Sequence, residues 1–102
     1  MAQLEISVMA QGRPSTSASE YVAAAIQVAK ESGLPYQVTA MGTILEGDVD
    51  SVLRVARQMH EAPFAKGIRR VYTIIKLDDW RDKERTLEGK VASVEGKLAR
   101  EI

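Results

Sequence analysis

Apolar residues in this chain recur at every second position, then at every third or fourth, then at every second again. That succession of periods narrows the fold more than any other feature. Leu4, Ile6 and Val8 alternate with Gln3, Glu5 and Ser7, the mark of a strand with one buried face. A loop rich in Gly, Arg, Pro, Ser and Thr follows from Gln11 to Ser17. Ser17 and Glu20 stand three apart as a capping box, and Val22, Ala25, Ile26 and Ala29 then keep helical spacing until Gly33 and Pro35. This predicts a first helix over residues 18–32. Tyr36 to Met41 predicts a second strand with Val38 and Ala40 inward; Gly42 breaks it, and Thr43 to Glu46 predicts a third, so the two form a tight hairpin. Gly47 and Asp48 open a second helix with Val49, Val52, Leu53, Ala56 and Met59 on one stripe.

Arg69 to Leu77 is the clearest strand of all, with Val71, Thr73, Ile75 and Leu77 facing one way and Tyr72, Ile74 and Lys76 the other. Strand, helix, strand, strand, helix, strand is the split βαβ order. The expected fold is therefore α+β and ferredoxin-like: a βαββαβ antiparallel sheet with helices on one face, plus a C-terminal helix from about Trp80. Residues 1–102 show no linker and form one domain.

Both rows of the last strand are largely apolar, whereas a lone sheet of this kind is covered on one face only. The surplus row calls for a cover, either a second subunit or the C-terminal helix. In that helix Leu87, Val91, Val94 and Leu98 are spaced as a coiled-coil seam, and Gly89 and Gly96 lie one heptad apart on a neighbouring line. Helix-to-helix association is the expectation.

Composition removes several functions. Fourteen basic residues balance fourteen acidic ones, so no global field draws the chain to nucleic acid or anionic lipid. The first strand also lacks the exposed aromatics of an RNA-reading sheet. Cysteine is absent, which excludes disulfides, thiolate metal sites and thiol nucleophiles, and His60 is the only histidine. Asp78, Asp79 and Asp82 suggest helix-terminus acids balanced by Arg81 and Lys83 rather than a metal cluster. His60 itself is expected on an exposed helix surface. A short N-terminus without a basic flank, and no long apolar run, lead to a cytoplasmic expectation. The loop from Ala10 to Arg13 faintly resembles the phosphate cradle of acylphosphatases, but that chemistry needs an asparagine and the chain has none. Neither an enzyme nor a cofactor is expected.

Several strings together resemble the small thiamine-binding protein family. They are Ser17, Ser19, Tyr21, Val22 and Ala23; Ser32, Gly33, Leu34 and Tyr36; and Met41, Gly42, Thr43, Glu46 and Gly47. Further along come Gly67, Arg70 and Val71; Lys76, Asp78 and Asp79; Arg81, Asp82 and Lys83; and Lys90, Val91, Ser93 and Val94. The match is collinear and spans nearly the whole chain. Trp80 departs from it, standing where a basic or polar residue is expected. The resemblance implies a ferredoxin-like monomer assembled into dimers and a homotetramer. It also implies non-catalytic binding of thiamine or hydroxymethylpyrimidine.

The candidate ligand-binding residues are Ser17, Ser19, Tyr36, Met41, Gly42, Thr43 and Glu46. A carboxylate at Glu46 can accept from the 4-amino group of an aminopyrimidine, and such charge-assisted bonds are strong. Thr43 offers a hydroxyl, Gly42 lets a guest approach the backbone, and Tyr36 offers a stacking face. Ser17 and Ser19 crowd a helix N-terminus, where a ring nitrogen or phosphate can dock. The same residues also have plain structural uses: strand-end acid, turn glycine, packing aromatic and helix cap. Two functions therefore stand side by side. One is a thiamine or hydroxymethylpyrimidine binder; the other is an oligomeric interaction or regulatory module with no such ligand.

Overall fold

A computed structural model describes residues 1–12, 18–81 and 87–101. In chain order it contains β1 (Ala2–Gln11), α1 (Ser19–Glu31), β2 (Tyr36–Val38), β3 (Thr43–Gly47), α2 (Val49–Glu61), a 3-10 turn (Phe64–Lys66), β4 (Arg70–Asp79) and α3 (Leu87–Glu101). The strands form one antiparallel sheet in the order β2-β3-β1-β4. The expected α+β, ferredoxin-like architecture is therefore present.

The core lies between one sheet face and helices α1 and α2. Leu4, Ile6 and Leu45 point into it from the strands and meet Ala25 and Ala29 of α1 and Val52, Val55, Ala56 and Met59 of α2. Two alanines on the α1 stripe let that helix sit close to the sheet. Cross-strand partners share a face, so the pairs Leu4–Leu45, Leu4–Leu77 and Ile6–Ile75 put these side chains on the helix side. Tyr21 closes a smaller cluster with Ala10 and Ile68.

Several boundaries differ from expectation, each for a local reason. β2 stops at Val38 because residues 39–42 make the turn, and neither Val38 nor Ala40 is buried. α1 has Ala18 at its N-cap with no side-chain cap, instead of Ser17, which lies outside the described residues together with Asp82 and Lys83. Trp80 and Arg81 are not helical; Trp80 instead extends the ladder, exchanging main-chain hydrogen bonds with Met1. His60 is half-buried rather than exposed: its Nδ1 is 2.7 Å from Thr73 Oγ1, and its ring meets Phe64 edge-on at 5.5 Å.

The sheet face away from α1 and α2 divides along its length. At one end Gln3 and Glu46 are buried within the single chain, at 5% and 8% exposure, on the side where Val91 of α3 lies. At the other end Tyr72 and Ile74 are exposed. Val91, Val94 and Leu98 of the expected seam are each more than half exposed, and the side chain of Leu87 lies outside the described set. Among the described residues no helix is long and apolar enough to cross a membrane.

Asp48 caps α2, accepting from the Ser51 main-chain N–H at 3.4 Å. Hydrogen bonding from Ser51 holds the Asp48 carboxyl below its usual range. A depressed carboxyl contributes stability above its unfolded pKa, and that contribution fades as pH falls through the folded value. Asp48→Ala should therefore lower the melting temperature at neutral pH and differ less from the parent in acid, whereas Asp48→Asn should retain most of the cap. Thermal unfolding of the three proteins across pH checks this.

Candidate functional site

β1 is paired to β4 along its whole length, from Ala2 to Gln11, but to β3 only from Ala2 to Ile6. Beyond Ile6 no strand pairs with the β3 side of β1 among the described residues. Met1 and Trp80 form a hydrogen-bonded pair, so by antiparallel alternation the even residues of β1 turn their main-chain groups toward β3. The N–H and C=O of Val8 therefore face the vacant side.

The turn between β2 and β3 leans over this gap. Thr39 Oγ1 donates to Gly42 O at 2.8 Å and accepts from the N–H groups of Met41 and Gly42, and Thr39 N–H also donates to Gly42 O. Ser7 Oγ donates to Met41 O at 2.6 Å and ties the turn to β1. A Cβ on Gly42 would lie 2.9 Å from Ile6 O and 3.1 Å from Ser7 Oγ, so only glycine allows this approach.

The result is an open groove of about 420 Å³. Ile6, Ala25, Thr43 and Met59 lie along its core side, and Val22 and Ile26 of α1 line it as well. The segment from Val38 to Gly42 contributes from the hairpin, and Met9 and Ile74 from the far sheet face. Its size falls within the range of about 300–1,000 Å³ usual for small-molecule sites. Among the described residues that line it, none carries a charge. The hydroxyls of Ser7 and Thr39 are engaged in holding the turn, while that of Thr43 has no partner among the described residues. Groove and guest would thus meet through apolar walls, one hydroxyl and one strand edge.

The structure brings Met41, Gly42 and Thr43 together in this groove but separates the other candidates from it. Thr43 and Glu46 were grouped in sequence, yet strand alternation sends them to opposite faces: Thr43 pairs with Ile6 on the helix side, Glu46 with Gln3 on the other. Tyr36 pairs with Leu45 and does not line the groove; nor does Ser19, the first residue of α1. Ser17 lies outside the described residues. Sequence reasoning missed Val22 and Ile26 as lining residues, because their spacing marks a core stripe. The legible signal was Ala25 between them, too small to fill the space beside the strands. Asp78 and Asp79 fall on opposite faces, and Arg81 pairs with Asp79 at 2.9 Å; no metal-ligand cluster occurs among the described residues.

Comparison with known proteins gives a consistent result. Residues 4–95 match the family model described as thiamine-binding protein. A UPF0045 protein of Methanothermobacter thermautotrophicus is 42% identical over 99 residues, which cover 96% of this chain and all of the relative. The crystal structure of Methanocaldococcus jannaschii protein MJ1052 superposes with a TM-score of 0.82 at 35% identity, covering 92% of this chain and 95% of that one. A Thermotoga maritima protein named for thiamine biosynthesis or salvage shares the fold, with a TM-score of 0.75 at 18% identity over 91% of this chain and 97% of that one.

Gly42→Ala should force the turn away from β1, since the obstructing atom is a backbone oxygen that cannot swing aside. A loss of about 1–3 kcal/mol in urea unfolding is expected. Stability equal to the parent's would contradict the described approach.

Proposed function

The chain belongs to the thiamine-binding protein family, and on that premise we propose that it binds thiamine, or its hydroxymethylpyrimidine half, unchanged in the groove beside the β2–β3 hairpin. The observation that carries this reading is the groove's uncharged, apolar lining with a hydroxyl and a strand edge set into it. An aminopyrimidine has flat apolar faces and a rim of donors and acceptors. Its faces suit Val22, Ile26 and Met41; its rim suits the Thr43 hydroxyl and the main chain of Val8. The cationic thiazolium finds no counter-charge among the lining residues and is better left in water at the open mouth. Among the described residues no acid, base or activated nucleophile lines the groove, and binding rather than catalysis is the chemistry these residues support.

A second observation supports an oligomeric binder. β4 is an edge strand of ten residues, and Tyr72, Ile74, Ile75 and Leu77 on it are exposed. Long apolar edges invite pairing with another chain. Ile74 also lines the groove, so a copy seated on β4 would help close it. The exposed α3 residues Val91, Val94 and Leu98 offer a further contact, as a dimer of dimers requires. A cysteine-free chain suits the reducing cytoplasm, where such an assembly would work.

A thermal-shift panel of thiamine, its mono- and diphosphate and hydroxymethylpyrimidine tests the ligand. A true ligand should add about 2.7 kcal/mol of stability at a hundredfold excess over its dissociation constant, and Ile26→Trp should abolish the shift by filling the groove. If no compound shifts the parent while its assembly persists, the interaction-module reading takes over. Light scattering tests assembly: Tyr72→Lys or Val94→Glu should lower the mass, and a monomeric parent would refute the oligomer.

A further inference from the structure

Gln3 is the described residue whose buried side chain holds an unsatisfied polar atom: its Nε2 has no hydrogen-bond partner. It sits at the middle of a polar row across three strands, in register with Glu46 of β3 on one side and Asp78 of β4 on the other. All three point to the face away from α1 and α2. Gln3 and Asp78 line a cleft of about 360 Å³ together with Glu5, Gln37, Ile44 and Lys76 of the sheet and Val91 of α3. Lys76 lies 3.8 Å from Glu5 at the rim of this cleft. The hairpin groove shares no lining residue with this cleft, though Glu5 of the cleft and Ser7 of the groove are only two residues apart on β1.

A buried amide donor without an acceptor is a cost that folding does not require, because an apolar side chain of similar shape would fill the same place. Its retention beside a cleft fits a guest that supplies the acceptor. We propose that this cleft is a second small-molecule site, for a planar nitrogen heterocycle whose edge presents donor, acceptor and donor in sequence. The ring nitrogen accepts from Gln3 Nε2, and the flanking amino groups donate toward Glu46 and Asp78. Both carboxylates have other contacts, yet a carboxylate offers about four lone-pair sites and can take a further N–H. This site does not depend on the thiamine reading.

The probe is 2,6-diaminopyridine, which carries that edge, with uracil, whose edge has the reversed pattern, as the counter-probe. Calorimetry and the Gln3 side-chain NH2 resonance should both report saturable binding of diaminopyridine and little of uracil. Gln3→Met should weaken that binding about tenfold or more, the loss of one hydrogen bond to a charged-rim site. It should also raise the melting temperature of the ligand-free protein by removing the orphan amide. Ile26→Trp, in the hairpin groove, should leave diaminopyridine binding unchanged, so failure of the thiamine site is read separately. A lower melting temperature in Gln3→Met, a change in its oligomeric mass, unaltered diaminopyridine affinity, or preference for uracil would each overturn the proposal.

Discussion

The structure depends on an unequal pairing of one strand. β1 is hydrogen-bonded to β4 over ten residues but to β3 over only its first five. The full ladder on one side makes β1 a rigid centre for the sheet. The half ladder on the other leaves the main chain of Val8 facing a gap among the described residues. Everything proposed for the hairpin groove follows from that gap and from what the chain has placed around it.

Three local choices keep the gap open as a site. Thr39 rolls the chain into a turn right after Val38, so β2 ends early and the turn hangs over β1. Gly42 and Ser7 then fasten that turn at close range. Ala25 on α1 leaves room where a larger residue would close the space, while Val22 and Ile26 remain as walls. None of these residues is charged, which is why a neutral ring is the guest proposed for the groove. The acidic residue first associated with the hairpin belongs instead to the other face, where Gln3, Glu46 and Asp78 form a separate polar row. The fold thus carries two chemically different niches that share no lining residue.

Much of the fold was legible because it rests on period. Leu4, Ile6 and Val8, the α1 and α2 stripes and the two-sided apolar character of residues 69–77 led to the element order and the sheet. The glycine between Met41 and Thr43 was legible too, since a break inside an apolar run signals a tight turn. What stayed hidden was which face each residue takes around an irregular turn. Glu46 and Thr43 are three apart, and a count of strand positions gives opposite faces; proximity in sequence had suggested a shared site. Val22 and Ile26 resembled core because a groove wall and a core stripe have the same spacing. The vacant edge of β1 had no sequence signal, because strand length in β2 was set by the Thr39 side chain rather than by hydrophobic pattern. Trp80 extended the sheet where a helix start was expected, since Met1 offered it a main-chain partner.

The central claim is that a thiamine-type ring occupies the half-paired edge of β1 beside the hairpin. Amide chemical-shift mapping during titration with hydroxymethylpyrimidine tests it most directly. The account predicts saturating shifts at Val8, at residues 39–43 and at Val22 to Ile26, with Gln3 and Asp78 unmoved. Shifts confined to the far face of the sheet, or spread evenly along α3, would contradict it.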